Sequence, residues 1–301
     1  MKLTRAEKSY RSLCISMCTL TALLCLYPLL YTVFMSFASS QELAANGGYM
    51  AWFPTKPTLM AYKKVLSGST FVWSAIKITL VRTVLGTLLH VLVCSLTGYA
   101  LSRQELPGRK QYITFMLVTI LFSGGLIPGY VAISSMGLLN SFWVMVIPSM
   151  FSAFDVLIFK QFFEEIPREM EEAAIVDGAS EIRLFFNIIF PLSKPVMAAI
   201  GLFTVVGHWN SWFDAFLYIN QQNSHLWPLQ TYVMIVFNNL NNLTNPELNK
   251  LIQEASQTGT GVTDMSTKMA LTIIAVLPVL LIYPFFQKYF NRGVYLGAVK
   301  G

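Results

Sequence analysis

Residues 164–195 read EEIPREMEEAAIVDGASEIRLFFNIIFPLSKP. Pro167 stands where a helix can begin, because the first helical residue has no use for its N–H, and Glu169, Glu171 and Glu172 follow at the positive end of the helix dipole. Gly178 should end this helix, since glycine adopts the left-handed conformation of a helix terminus without a Cβ clash. Ser180 can then cap a second helix, in which Ile182, Phe185, Phe186 and Ile189 recur at i, i+3, i+4 and i+7 before Pro191 and Pro195 close it. The prediction is two short helices joined by a glycine bend. Their apolar stripe is unpaired within the stretch itself, and small residues, Ala173, Ala174 and Ala179, sit near the corner. Such a stripe suits either the surface of a partner that approaches closely or the plane of a bilayer.

Outward from this stretch the chain turns apolar. Of its 301 residues 54% are hydrophobic and only 12% charged, whereas a soluble domain carries about 25% charged residues. That deficit excludes an ordinary soluble enzyme. Apolar stretches at 12–37, 71–101, 111–134, 141–163, 195–219 and 269–287 each approach or exceed the roughly 20 residues needed to cross hydrocarbon. The fold class is therefore an all-α integral membrane protein with six transmembrane helices. The first stretch is an uncleaved span rather than a signal peptide, because it far exceeds a hydrophobic region of roughly 7–15 residues and no A-x-A-like site follows.

With six spans both termini lie on one side of the membrane. Fourteen of the 21 Lys and Arg residues fall on that side: four in the N-terminal arm (Lys2, Arg5, Lys8, Arg11), then Arg103, Arg109, Lys110, Lys160, Arg168, Arg183, Lys194, Lys288, Arg292 and Lys300. The bias marks that side as cytoplasmic. The resulting plan is a cytoplasmic arm 1–11, a first transmembrane helix 12–37, an external loop 38–70 with Trp52, Pro54 and Pro57, a core 71–287 and a cytoplasmic tail 288–301. Within the core lie the cytoplasmic loop 164–194 and an external polar loop 220–268 that holds Asn238, Asn239, Asn241 and Asn242. Lys77 and Arg82 fall inside the second span, where a long basic side chain snorkels to the interface or lines a wet cavity. The net charge of +6 follows the spans as orientation signals do, so no nucleic-acid partner is expected. Cys14, Cys18, Cys25 and Cys94 all lie in apolar stretches and read as packing residues, with no disulfide framework and no metal site.

Glu172-Ala173-Ala174, Asp177-Gly178-Ala179, Ile188 and Pro191 match the pattern of the EAA loop in permease subunits of binding-protein-dependent ABC sugar importers. The chain resembles that family along nearly its whole length. Gly98-Tyr99-Ala100-Leu101-Ser102-Arg103, Phe122-Ser123-Gly124-Gly125-Leu126-Ile127-Pro128 and Leu296-Gly297-Ala298-Val299-Lys300-Gly301 are similar to carbohydrate permeases. The SGGLIP stretch and Trp209-Asn210-Ser211-Trp212-Phe213-Asp214 look most like the complex oligosaccharide and polysaccharide branch.

The resemblance implies a type I ABC importer permease fold in a bacterial cytoplasmic membrane. In that family the EAA loop is a coupling helix seated on a cytoplasmic ATPase, a role that falls here to Glu172, Ala173, Ala174, Asp177 and Gly178. Glu172 would pair with the ATPase, Arg183 or Arg168, or simply compensate a helix dipole. The implied partners are a second permease subunit forming a heterodimer, two ATP-binding cassette ATPase subunits, an extracytoplasmic sugar-binding protein and the lipid bilayer.

In the fifth span, Trp209, Asn210, Trp212 and Asp214, beside His208, form a possible substrate path. Aromatic faces stack on sugars, and amides and carboxylates bond their hydroxyls. The competing reading makes the two tryptophans interface anchors and Asp214 the cap of a helix break. Asp155 and His90 read as groups satisfied inside the bundle, and His225 as an outer-loop residue. No phosphate-binding G-x-x-x-x-G-K-[ST] loop, H-E-x-x-H pair or G-x-S-x-G elbow occurs, so the chain is not expected to be an enzyme or to bind a cofactor. ATP and Mg would belong to the partner ATPase. A permease for a non-sugar solute and a non-transporting membrane anchor or sensor stay open as alternatives.

Overall fold

The computed structural model describes residues 4–47, 53–67, 70–176, 178–238 and 264–297, and every regular element among them is a helix. Contacts divide the chain into two compact units, Met1–Val72 with Ile235–Leu277, and Trp73–Met234 with Pro278–Gly301.

In the first unit, α1 (Arg5–Ser36) begins in a capping box: Thr4 Oγ1 accepts from Glu7 N at 3.3 Å, and Glu7 Oε2 accepts from Thr4 N at 2.7 Å. That cap draws most of the basic arm into the helix, whose leucines stay exposed along its length, as a lipid-facing span requires. The expected external loop 38–70 contains α2 (Ser40–Ala45) and α3 (Met60–Ser67). Met35, Ala38 and Leu43 form a small core against Tyr31 and Met269, the last on the long helix α14 (Asp264–Gly297). Trp52, Asn239, Asn241 and Asn242 lie outside the described residues.

The second unit is organised on α4 (Thr70–Ser102), a helix of 33 residues. Among the described residues, Glu7–Ser36, Phe71–Ser102 and Met265–Ile282 are the uninterrupted helices long and apolar enough to cross a membrane. The other three predicted spans are helical but broken. Stretch 111–134 divides into α5 (Arg109–Leu121) and α6 (Leu126–Ser135) at Gly125, whose φ of 86° no L side chain adopts readily. Stretch 141–163 begins as a short 3-10 turn, Phe142–Met145, passes through turns around Pro148, and becomes helical again only in α7 (Ala153–Glu164). Stretch 195–219 divides into α11 (Lys194–Asn210) and α12 (Phe213–Tyr218) across Ser211, whose φ and ψ of −72° and 127° are extended. At 17 residues α11 is about 25 Å long, so it nearly spans hydrocarbon by itself. A further correction concerns 220–268: α13 (Leu229–Phe237) is packed, with Thr231, Tyr232, Ile235 and Val236 buried, rather than part of a solvated loop.

Residues 164–195 form α8 (Arg168–Val176), then one continuous helix, Glu181–Leu192. The latter consists of α9 (Glu181–Leu184), a π-helical turn at Phe185–Ile189, and α10 (Phe190–Leu192). The chain then turns by 80° at Ser193 into α11.

Candidate functional site

The elbow between α8 and α9 is closed by backbone alone. Gly178 N donates to Ile175 O and Ala179 N to Ala174 O, both at 2.9 Å, with Gly178 at φ 78°. This is the paired bonding by which a left-handed residue seals a helix end. Ser180 Oγ then accepts from Arg183 N at 3.4 Å and opens the second arm as its side chain predicts. A Cβ added at Gly178 would meet nothing within 4 Å, so only its backbone conformation demands glycine.

The predicted stripe splits between two environments. Phe185 and Ile189 are buried at 1% and 0% exposure among Tyr99, Phe159 and Phe163, whereas Ile182 is 73% exposed and Phe186 is half-exposed. The reason is the π turn: its extra residue rotates the later positions relative to Ile182, so i, i+3, i+4 and i+7 no longer share one face. Among the described residues, the exposed large apolar side chains of the elbow include Ile175, Val176 and Ile182, with Met170 and Phe186 half-exposed.

Of the five expected coupling residues, Glu172 is exposed, Ala174 is buried and Gly178 makes the bend. Asp177 and the side chain of Ala173 lie outside the described residues. The acid that α8 turns inward is Glu171, paired to Arg103. Beneath the elbow is an open cleft of about 740 Å³ whose charged lining includes Arg103, Arg109, Lys160, Glu164, Glu171 and Glu181. Arg109 and Lys160 both pair with Glu164, the latter at 2.7 Å. Sequence reasoning names Glu171 only as an acid at the helix dipole and Arg103 only as an orientation charge ending the Gly98–Arg103 motif, and it does not pair them.

The second polar assembly lies along α4, inside the apolar core. Arg82, 2% exposed, grips the Asp214 carboxylate with both terminal nitrogens, one bond being Nη1 to Oδ1 at 3.1 Å, and Nη1 also donates to Ser211 O at 3.2 Å. Arg82 is therefore an internal tie and does not snorkel, while Lys77 is exposed. Two turns further along α4, His90 Nδ1 donates to Ser149 O at 2.7 Å, and Nε2 contacts Asp155 Oδ2 at 2.9 Å. Each residue thus reaches the backbone of a broken span. Non-helical backbone within hydrocarbon requires such partners, because no water is there to bond it. Thr231 Oγ1 adds a third bond of this kind, to Trp212 O at 2.9 Å. His90 and Asp155, each expected to be satisfied inside the bundle, are partners of one another, a pairing the sequence reading did not make.

At the break between α11 and α12 the residues singled out from sequence part company. Trp209 is buried at 4% exposure, Asn210 is exposed, and Trp212 is half-buried with its ring 5.5 Å from Phe213 and 6.0 Å from Phe216. Asp214 accepts from Ser211 Oγ at 3.0 Å as well as from Arg82, so it both stabilises the break and carries the charge that neutralises α4. Gly86 lets α11 approach: a Cβ there would stand 2.5 Å from His208 Cε1.

Broken helices, a polar face turned inward and an elbow projecting from the bundle all fit a transport component, and residues 14–295 match the model of the binding-protein-dependent transport system inner membrane component family. The chain belongs to that family. It is a permease subunit of an ABC transporter and an inner-membrane protein. It is 36% identical to the polygalacturonan/rhamnogalacturonan transport system permease protein YtcP of Bacillus subtilis, over 93% of this chain and 94% of that one. It is 40% identical to Protein LplC of the same organism, over 91% and 89%. A bacterial ABC transporter involved in the import of the acidic polysaccharide alginate matches with a TM-score of 0.86 at 26% identity, covering 96% of this chain and 99% of that one. Membership of a transport family does not favour the anchor or sensor alternative.

Proposed function

We propose that this permease subunit imports oligosaccharides or polysaccharide fragments by alternating access, paired with a second, different permease chain and driven by two ATP-binding cassette ATPases. A sugar-binding protein delivers the substrate outside. ATP and Mg are held by the ATPases, and both termini and the elbow face the cytoplasm. The elbow of α8 and α9 docks on one ATPase, with Ile175, Val176 and Ile182 entering its cleft and Glu172 at the rim. Asn210 and Trp212, at the break between α11 and α12, line the path, since discontinuous helices in transporters mark where substrate is held. The substrate class is supported by the polysaccharide-transport relatives.

The observation that carries the coupling role is the outward apolar surface of an elbow whose other face is rooted in the core. Gly178→Val tests it. The site has room for the side chain, but a β-branched residue at positive φ is strained, so the bend should open while the chain remains inserted. Purified in mild detergent, the wild-type chain should retain a second permease and a P-loop ATPase, and Gly178→Val should lose the ATPase. Equal ATPase recovery from both, or none from the wild type under conditions that keep other membrane complexes intact, overturns the reading.

A further inference from the structure

The Gly98–Arg103 motif has no part in docking or in the path, yet it joins α4 to the elbow. At Gly98 a Cβ would fall 2.6 Å from Phe159 Cβ and 3.0 Å from Lys160 N and Val156 O, so glycine lets α4 and α7 touch backbone to side chain root. One residue on, the Tyr99 ring lies 5.1 Å from Phe185 and 6.1 Å from Phe163, and its hydroxyl donates to Glu181 Oε2 at 2.7 Å. Arg103 then stacks over that ring, with Cζ 4.5 Å from the centroid. Its Nη1 bonds the Glu171 carboxylate, and its Nη2 bonds the Tyr99 hydroxyl and reaches Glu181 Oε2 at 3.4 Å.

Glu171 lies on α8, before the bend, and Glu181 on α9, after it. One planar guanidinium with two forks thus ties both arms of the elbow to the end of α4, a geometry a lysine ammonium does not reproduce. Apart from the tie, α8 is fastened to the bundle by the backbone at Gly178 and by the small side chain of Ala174, which is buried beside Tyr99 and Phe185. Resting on the transport reading above, we infer that Arg103 is a positioning residue that, held by Tyr99, bridges Glu171 and Glu181 and makes α4 a carrier of ATPase motion beside α11, into which the second arm continues at Ser193. A hydrogen-bonded bridge of this kind carries displacement as long as it keeps both arms on the same guanidinium.

The assembled transporter, permeases with ATPases, tests this without any sugar. Spin labels are placed by genetic-code expansion at exposed Glu169 on α8 and exposed Leu96 on α4, and their distance distribution is measured without nucleotide, with ATP, and after vanadate trapping. The wild type should give one narrow distribution in all three states. Arg103→Gln should widen it at least twofold and make it shift with nucleotide, while ATP hydrolysis persists. Arg103→Lys, which reaches one carboxylate at a time, should fall between. A narrow, nucleotide-independent distribution in Arg103→Gln, or a wild-type distance that itself shifts with ATP, overturns the inference. Should Arg103→Gln fail to assemble, Glu171→Gln removes only the α8 arm and is held to the same two outcomes. Absence of an ATPase from the wild-type complex would instead sink the transport reading.

Discussion

The two ionic assemblies of this protein obey different rules. Arg82, 2% exposed, is buried and gripped by one carboxylate, that of Asp214, which is itself 24% exposed. At the elbow the charges are shared: Arg103 serves Glu171 and Glu181, and Glu164 serves Arg109 and Lys160, with most of these side chains a quarter or more exposed. A buried pair is costly to break because the survivor is stranded without solvent, whereas a charge near water keeps alternatives. The core pair fixes the break at Ser211, and the elbow network joins both arms of the elbow to the end of α4.

Removing one member of the core pair should have the largest effect. Asp214→Ala leaves Arg82 unpaired and frees the Ser211 break, at an expected cost of about 3–5 kcal/mol, read as lost folded protein and a lowered melting temperature in detergent. Arg82→Met with Asp214→Leu should recover most of that loss, and a double variant no better than the single would break the contrast. Gly98→Leu comes next, at about 1–3 kcal/mol for overpacking against Phe159 and the α7 backbone, measured the same way. Glu164→Gln should cost least, about 0.2–1 kcal/mol, and its effect should shrink further in high salt. A Glu164 variant as damaging as Asp214→Ala would mean the elbow network is buried in the assembled transporter and that the contrast belongs to the isolated chain.

The elbow was legible in the sequence because its signals are local. Gly178 has to end a helix, Ser180 has to start one, and neither depends on distant residues. The breaks in three spans were not, because an apolar run looks the same whether the helix continues or stops, and the groups that permit the stop are remote. Ser149 is served by His90, 59 positions away, and Ser211 by Arg82, 129 positions away. Arg103 was hidden for the same reason, its carboxylate partners lying 68 and 78 positions on. The reading of 209–214 singled out Asp214 without its partner, since an arginine within a span reads as a snorkelling residue until the acid opposite it is seen.

Arg82 precedes Asp214 by 132 positions, and this order matters while the protein is being made. At roughly 5–20 residues per second, Arg82 leaves the ribosome about 7–26 s before the carboxylate that pairs with it. During that interval a guanidinium faces lipid or the insertion machinery with no internal partner, and α4 cannot settle at its final depth. A chain arrested near residue 200 should therefore hold α4 less firmly in the membrane than the released full-length chain, as alkaline extraction would report. Biosynthesis of this permease thus contains a waiting period written into the spacing of two charges.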